Sequence, residues 1–215
     1  MTKITRVPIY FSSTFADANI VIWKIEEDEE FFWASSNLKL PPKDAYRIKG
    51  YTNVYKRVES LAGRYCAHIA SGGQVNFQCF ENDPPQADKG YLSIAHTSGY
   101  AGAVYHPLVK VGIDIEIISR LVRDRIFTRF ASEDEMKTGT ENYNRLVLWC
   151  AKEAIYKAGH LKGLNFKEHI KVEWNTETQG VGTIHFGGLY KIFALRNVLI
   201  ENHLICVLCV ENAQL

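Results

Sequence analysis

Apolar residues gather in short β-type runs over residues 4–11 and 19–25, and the acidic stretch 26–30 that follows suits the first turn of a short helix. The period then changes. Val54, Val58, Leu61, Ala62, Tyr65 and Ile69 recur at helical spacing, which predicts a long helix over 52–70 ended by Ser71-Gly72-Gly73. Strands are predicted over 75–80, 91–96, 102–105 and 109–115, with a turn-rich stretch at 82–90 between the first two. Helices follow over 120–130 and 142–158, and the tail from Lys171 reads as strands and turns ending with 190–195 and 203–210.

Each half therefore contains a long helix and then several strands, which points to α+β rather than a regular β-α-β alternation. At 215 residues the chain could be one large domain or two small ones. No break in composition marks a linker and no sequence repeat is visible, so two subdomains would meet near 106–110 and pack closely around a shared cleft. Hydrophobic residues at 47% and charged residues at 23% fit a globular chain with a substantial core and argue against disorder.

The net charge of +1 supplies no global field for nucleic acid or an anionic membrane, so electrostatic recognition must be local. No apolar run approaches the roughly 20 residues of a membrane span, and the N-terminal Met-Thr-Lys-Ile-Thr-Arg lacks a signal peptide's apolar core. Five cysteines, an odd number scattered through apolar segments, read as reduced thiols of a cytoplasmic protein. Cys206 and Cys209 have C-x-x-C spacing, but on a strand an odd separation sends them to opposite faces, and no second ligand pair completes a zinc site.

Two segments carry chemistry. In Val111-Gly112-Ile113-Asp114-Ile115-Glu116, strand alternation puts Asp114 and Glu116 on one face and Ile113 and Ile115 on the other, where they enter the core. Two hard oxygen ligands on a rigid element suit Mg²⁺. On this segment alone, a half-exposed strand with solvated acids fits as well. In Trp149-Cys150-Ala151-Lys152-Glu153-Ala154-Ile155-Tyr156-Lys157, helical spacing aligns Trp149, Glu153 and Lys157 in one stripe. By itself this could be a surface Glu–Lys pair beside a core tryptophan. Together the segments supply three carboxylates and two lysines, enough to bind a metal and a polyphosphate.

The two segments resemble the 4′-phosphopantetheinyl transferases of the large, two-halved type that activate carrier domains of synthases. Those share a Gly-Ile-Asp-x-Glu strand followed by Trp-x-x-Lys-Glu-x-x-x-Lys, and here Glu153 lies 39 positions after Asp114. Leu92-Ser93-Ile94-Ala95-His96-Thr97-Ser98 is similar to the family's Ser-His-Ser element, with Ala95 where the family has its first serine and Thr97 or Ser98 as a substitute hydroxyl. The family's Gly-Lys-Pro is replaced by Asn82-Asp83-Pro84-Pro85.

The resemblance implies two similar α/β subdomains, 1–106 and 107–215, related by a pseudo-twofold axis, each a long helix on a small, mostly antiparallel sheet, with the active-site cleft between them. It implies Mg²⁺ held by Asp114, Glu116 and Glu153, and coenzyme A as substrate. Arg57 and Arg64 are implied at the 3′-phosphate, and His96, Lys152 and Lys157 at the phosphates. Glu153 is the implied proton acceptor, acting with Lys157 and His96. The partner would be an acyl or peptidyl carrier protein, and the enzyme, a holo-carrier-protein synthase, would act as a monomer.

Arg120, Arg123, Arg125 and Arg129 form a local basic patch that suits docking of an acidic carrier. Interspersed acid and the neutral balance of the chain speak against nucleic acid there. Two rival readings use the same residues: a coenzyme A or nucleotide-binding module without catalysis, favoured by Ala95 and the missing Gly-Lys-Pro, and a metal-dependent nucleotide phosphohydrolase.

Overall fold

The computed structural model describes residues 9–35, 38–78 and 85–212. The start of the first expected strand, Cys79 and the Asn82–Pro84 replacement for Gly-Lys-Pro lie outside these residues.

Strands β1 (Ile9–Phe15) and β2 (Ala18–Lys24) form a hairpin whose two turn residues, Ala16 and Asp17, both have positive φ, the conformation that matches strand twist in a two-residue turn. The acidic run then opens α1 (Glu29–Ala34), capped by the Asp28 carboxylate on the Phe31 N–H. Helix α2 (Pro42–Lys49) was not anticipated; its Pro at the first position and Asp44 in the first turn are its start signals. Helix α3 (Val54–Ala70) follows, capped by Asn53. Short strands β3 (Phe77–Gln78) and β4 (Gln86–Ala87) pair with each other. Strands β5 (Tyr91–Thr97) and β6 (Tyr100–His106) complete an antiparallel sheet of order β1-β2-β6-β5.

Strand β7 (Val111–Ile117) begins the second sheet. Helices α4 (Asp124–Phe130), α5 (Glu133–Thr138), α6 (Asn142–Gly159) and α7 (Phe166–His169) come next. Strands β8 (Ile170–Trp174), β9 (Gln179–Phe186), β10 (Leu189–Ile200) and β11 (Leu204–Glu211) finish an antiparallel sheet of order β7-β11-β10-β9-β8. The helix expected from residue 120 starts only at Asp124. The Asn142 side chain holds the Arg120 carbonyl and the Val122 N–H, which keeps the chain before α4 extended.

Strand alternation assigns each sheet two jobs. Trp23, Ala101 and Ala103 pack under α3 with Leu61, Ala62 and Cys66. Ile205, Val207 and Cys209 pack under α6 with Cys150, Ala151 and Ala154. The alternate residues, Ile20, Ile22 and Val104 from one sheet and Ile113, Ile115, Cys206 and Leu208 from the other, form a third core between the sheets. Cys206 and Cys209 thus belong to different cores, as the odd separation requires. The mixed fold with antiparallel sheets agrees with the α+β reading. Among the described residues no helix is long and apolar enough to cross a membrane.

The approach of α6 to β7 is closest at Gly112. A Cβ there would overlap the Ala154 carbonyl, so only glycine admits the helix backbone. Gly112→Ala must push α6 off β7. We expect it to lower unfolding free energy by about 1–3 kcal/mol in urea titrations; stability within error of the unsubstituted chain would show that the close approach does not set the spacing.

Candidate active site

Because Ile113 and Ile115 face the other sheet, Gly112, Asp114 and Glu116 face α6. Both acids are buried, with 8% of their surface exposed. This corrects the image of a half-exposed strand. Asp114 Oδ1 accepts a hydrogen bond from Lys157 Nζ at 2.7 Å, and the same ammonium donates to the Ile113 carbonyl at 3.0 Å. Asp114 Oδ2 is buried with no hydrogen-bond partner among the described residues. Glu116 accepts from Thr97 Oγ1 at 3.1 Å and is ion-paired with Arg120, whose guanidinium lies over the Trp149 ring at 5.4 Å.

On α6, Trp149, Glu153 and Lys157 are all half-buried, as expected of one stripe at the cleft margin. Glu153 has its pKa raised, first by burial and then by the Asp114 charge, against the opposing pull of Lys157 and Arg120. Three carboxylates thus share the space between β7 and α6 with two cationic side chains.

This donor set fits a hard divalent cation in its chemistry: carboxylate oxygens, one of them buried without a partner, and a glutamate burdened by a like charge. It is not gathered into a cage. Among the described residues no group of three His, Cys, Asp or Glu stands together as metal ligands. Lys157 and Arg120 instead engage Asp114 and Glu116 directly.

Beside the carboxylates runs a cleft of about 330 Å³ whose lining includes Arg47, Ser60 and Arg64 from the α2–α3 side, His96 on β5, and Lys157 and His160 from α6. His96 is exposed, with Nδ1 3.7 Å from a Glu59 carboxylate oxygen. Arg64 is buried against Asp44 yet lines the cleft. Ser93, also in the cleft lining, fastens β5 to β7 through its Oγ, which accepts from the Ile113 N–H at 3.3 Å.

Two expected phosphate ligands are elsewhere. Lys152 has no exposed surface; its ammonium donates to the Phe130 and Phe166 carbonyls and to Glu135 at 2.7–2.9 Å. An ammonium has three N–H bonds, and all three are taken, so Lys152 ties α6 to α4, α5 and α7 and has none left for a ligand. It sits one residue from Glu153, a 100° turn that sends it into the core. Arg57 does not line the cleft. It spans to Glu29 at 2.7 Å and to the Tyr51 carbonyl at 2.6 Å, and so anchors α3 to α1.

Position 95 also changes meaning. Ala95 is buried in the core between the sheets, opposite His96, so a serine hydroxyl there would point away from the cleft. Thr97, in turn, acts on Glu116. Arg47 and its partner Asp44 were missed, because α2 was not recognised; the i, i+3 Asp44–Arg47 pair behind Pro42 was the available signal.

Residues 110–209 match the family described as the 4′-phosphopantetheinyl transferase superfamily. The matched span runs from the edge of β7 to β11, contains Asp114, Glu116, Glu153 and Lys157, and leaves out His96, Arg47 and Arg64. No curated protein matches the chain.

A glutamate whose pKa is raised on folding binds its proton more tightly in the native state, so it lowers stability as pH climbs from the unfolded value through the folded one. Glu153→Gln removes that loss. Urea unfolding near pH 8 should find Glu153→Gln more stable than the parent chain, with the difference vanishing near pH 4, where glutamate in the unfolded chain is largely protonated. A variant less stable near pH 8 would mean that Lys157 and Arg120 outweigh burial.

Proposed function

We propose that the chain transfers the 4′-phosphopantetheine group of coenzyme A to a serine hydroxyl of an apo acyl or peptidyl carrier protein, with Mg²⁺, releasing adenosine 3′,5′-bisphosphate. The supporting observation is that Asp114 on a strand and Lys157 on a helix 43 positions later meet at 2.7 Å, with Glu153 coupled to both, inside the span that matches the family. On this reading the chain is of the large type: residues 1–106 and 107–215 form the two helix-on-sheet halves, and a single copy acts alone.

Asp114, Glu116 and Glu153 would hold the cation, which when bound supplies positive charge to the pyrophosphate. The chain's own residues do the rest by positioning and charge. Glu153 has an elevated proton affinity from burial beside Asp114, which suits it to accept the serine proton as the oxygen attacks phosphorus. Lys157 keeps a third N–H beyond its bonds to Asp114 and Ile113, available to a phosphate oxygen at the cleft wall. His96, exposed beside Glu59, reaches the same side.

Arg123, Arg125 and Arg129 are exposed at and along α4 and supply the docking surface for an acidic carrier. Arg120, though exposed, is tied to Glu116 and lies over the Trp149 ring, which sets it apart from that row. A phosphohydrolase would release products without a carrier, and a binding module would release none. The position of Ala95 removes one ground for the latter.

Intact-mass measurement of an apo carrier after incubation with the chain, coenzyme A and Mg²⁺ should show addition of the pantetheine arm, abolished by a chelator. Asp114→Ala, Glu116→Ala and Glu153→Ala should each slow that addition by about a hundredfold or more; a fully active triple variant would exclude the assignment. Reversing charge at Arg123 and Arg125 should raise the KM for carrier by about tenfold and leave coenzyme A affinity unchanged. Unaltered carrier kinetics would move the docking surface elsewhere.

A further inference from the structure

Glu116 is held at both of its oxygens, and by different kinds of group. Thr97 Oγ1, at the end of β5, donates to Oε2 at 3.1 Å, and the Arg120 guanidinium is ion-paired with Oε1. A hydroxyl takes up one lone pair and leaves the carboxylate its full charge, whereas a guanidinium cancels that charge. The two grips also differ in anchorage. Strand β5 is fastened to β7 where the Ile113 N–H donates to Ser93 Oγ, so Thr97 meets Glu116 from a rigid element. Arg120 follows β7 in the stretch before α4, and 45% of its side chain is exposed.

Asp114, the other acid of the strand, is arranged otherwise. Lys157 pairs with its Oδ1 but is also tied to the Ile113 carbonyl, and Oδ2 is left without a hydrogen-bond partner among the described residues. A divalent cation between β7 and α6 thus meets an oxygen of Asp114 clear of positive charge, and a Glu116 already neutralised. Two cations on one carboxylate repel each other, so the one less firmly held gives way. The Arg120 guanidinium already lies over the Trp149 ring at 5.4 Å, an aromatic face that keeps a cation close without a carboxylate. Its charge also reaches Glu153, whose pKa it draws down against burial.

We propose that Arg120 is a resident counter-ion of Glu116 that a divalent cation displaces, and that Thr97 is the positioning residue that keeps the carboxylate in place through the exchange. This rests on the transferase reading, in which Asp114, Glu116 and Glu153 hold Mg²⁺. Arg120 therefore opposes cation binding and Thr97 favours it, although both are partners of the same side chain. A hydrogen bond to a ligating carboxylate orients it and adds to metal affinity. Thr97 touches neither cation nor substrate and acts through Glu116.

The test is electron paramagnetic resonance titration of the full chain with Mn²⁺, a paramagnetic stand-in for Mg²⁺, in saturating coenzyme A and corrected for the ions that coenzyme A holds alone. Arg120→Gln should bind Mn²⁺ about fivefold more tightly than the parent chain, and Thr97→Val about tenfold more weakly, with Thr97→Ser within about twofold of the parent. Arg123→Gln, which removes the same charge from the exposed row, should change affinity by less than about twofold. A merely structural role would weaken binding in both the Arg120 and Thr97 variants or leave it unchanged. If Thr97→Val loses its circular dichroism, Arg120→Gln decides. Equal or weaker binding in Arg120→Gln, or equal tightening in Arg123→Gln, overturns the displacement. Thr97→Val with parent affinity, or Thr97→Ser as weak as Thr97→Val, overturns the positioning. Where the parent chain binds Mn²⁺ and Asp114→Ala does not, either result leaves the transferase reading standing. A parent chain that holds no Mn²⁺, or no more than Asp114→Ala holds, overturns both.

Discussion

The crossing of α6 over β7 at Gly112 governs the rest of the molecule. Helix backbone meets strand backbone there without an intervening side chain, so the next residues on each element, Asp114 and Lys157 among them, come within hydrogen-bonding reach. Were the helix held out by even one methyl group, the shared bond from Lys157 to Ile113 and Asp114 would lengthen. The carboxylates of two distant segments would then no longer feel one another. The raised pKa of Glu153 follows from burial first and then from that proximity to Asp114, and it is a cost in stability retained at the candidate site.

Two buried ion pairs show how similar charges come to different ends. Lys152 is saturated by Glu135 and two carbonyls and serves the fold. Arg64 is held as firmly, but its planar head has more donors than its partners use, so the same burial that fixes it leaves part of it available at a cleft. The number of N–H bonds, rather than the charge, separates a structural cation from one that can also bind.

Much of the architecture could be read from periodicity. The α3 and α6 helices, strands β5 to β7 and the last strand, β11, were expected within a few residues, because their apolar positions repeat over lengths that local pattern can register. Helix α2 was invisible in this way: eight residues carry too few repeats, and its two important side chains are an acid and a base. Arg57 and Lys152 were read as cleft cations from their neighbours in sequence. On a helix, however, one residue of separation is a third of a turn, and Glu29 offered Arg57 a partner that no local pattern could announce.

By itself the sequence determined which residues alternate on β7 and which align on α6, since both follow from backbone geometry within one element. It therefore determined that Asp114 and Glu116 share a face and that Trp149, Glu153 and Lys157 share a stripe. Only the tertiary structure decided that those faces meet, that Ala95 turns to the core, and that Asp44 gathers two arginines. Those outcomes depend on packing between segments far apart in the chain, where the loss of solvent and the count of available donors are set by neighbours that no local period encodes.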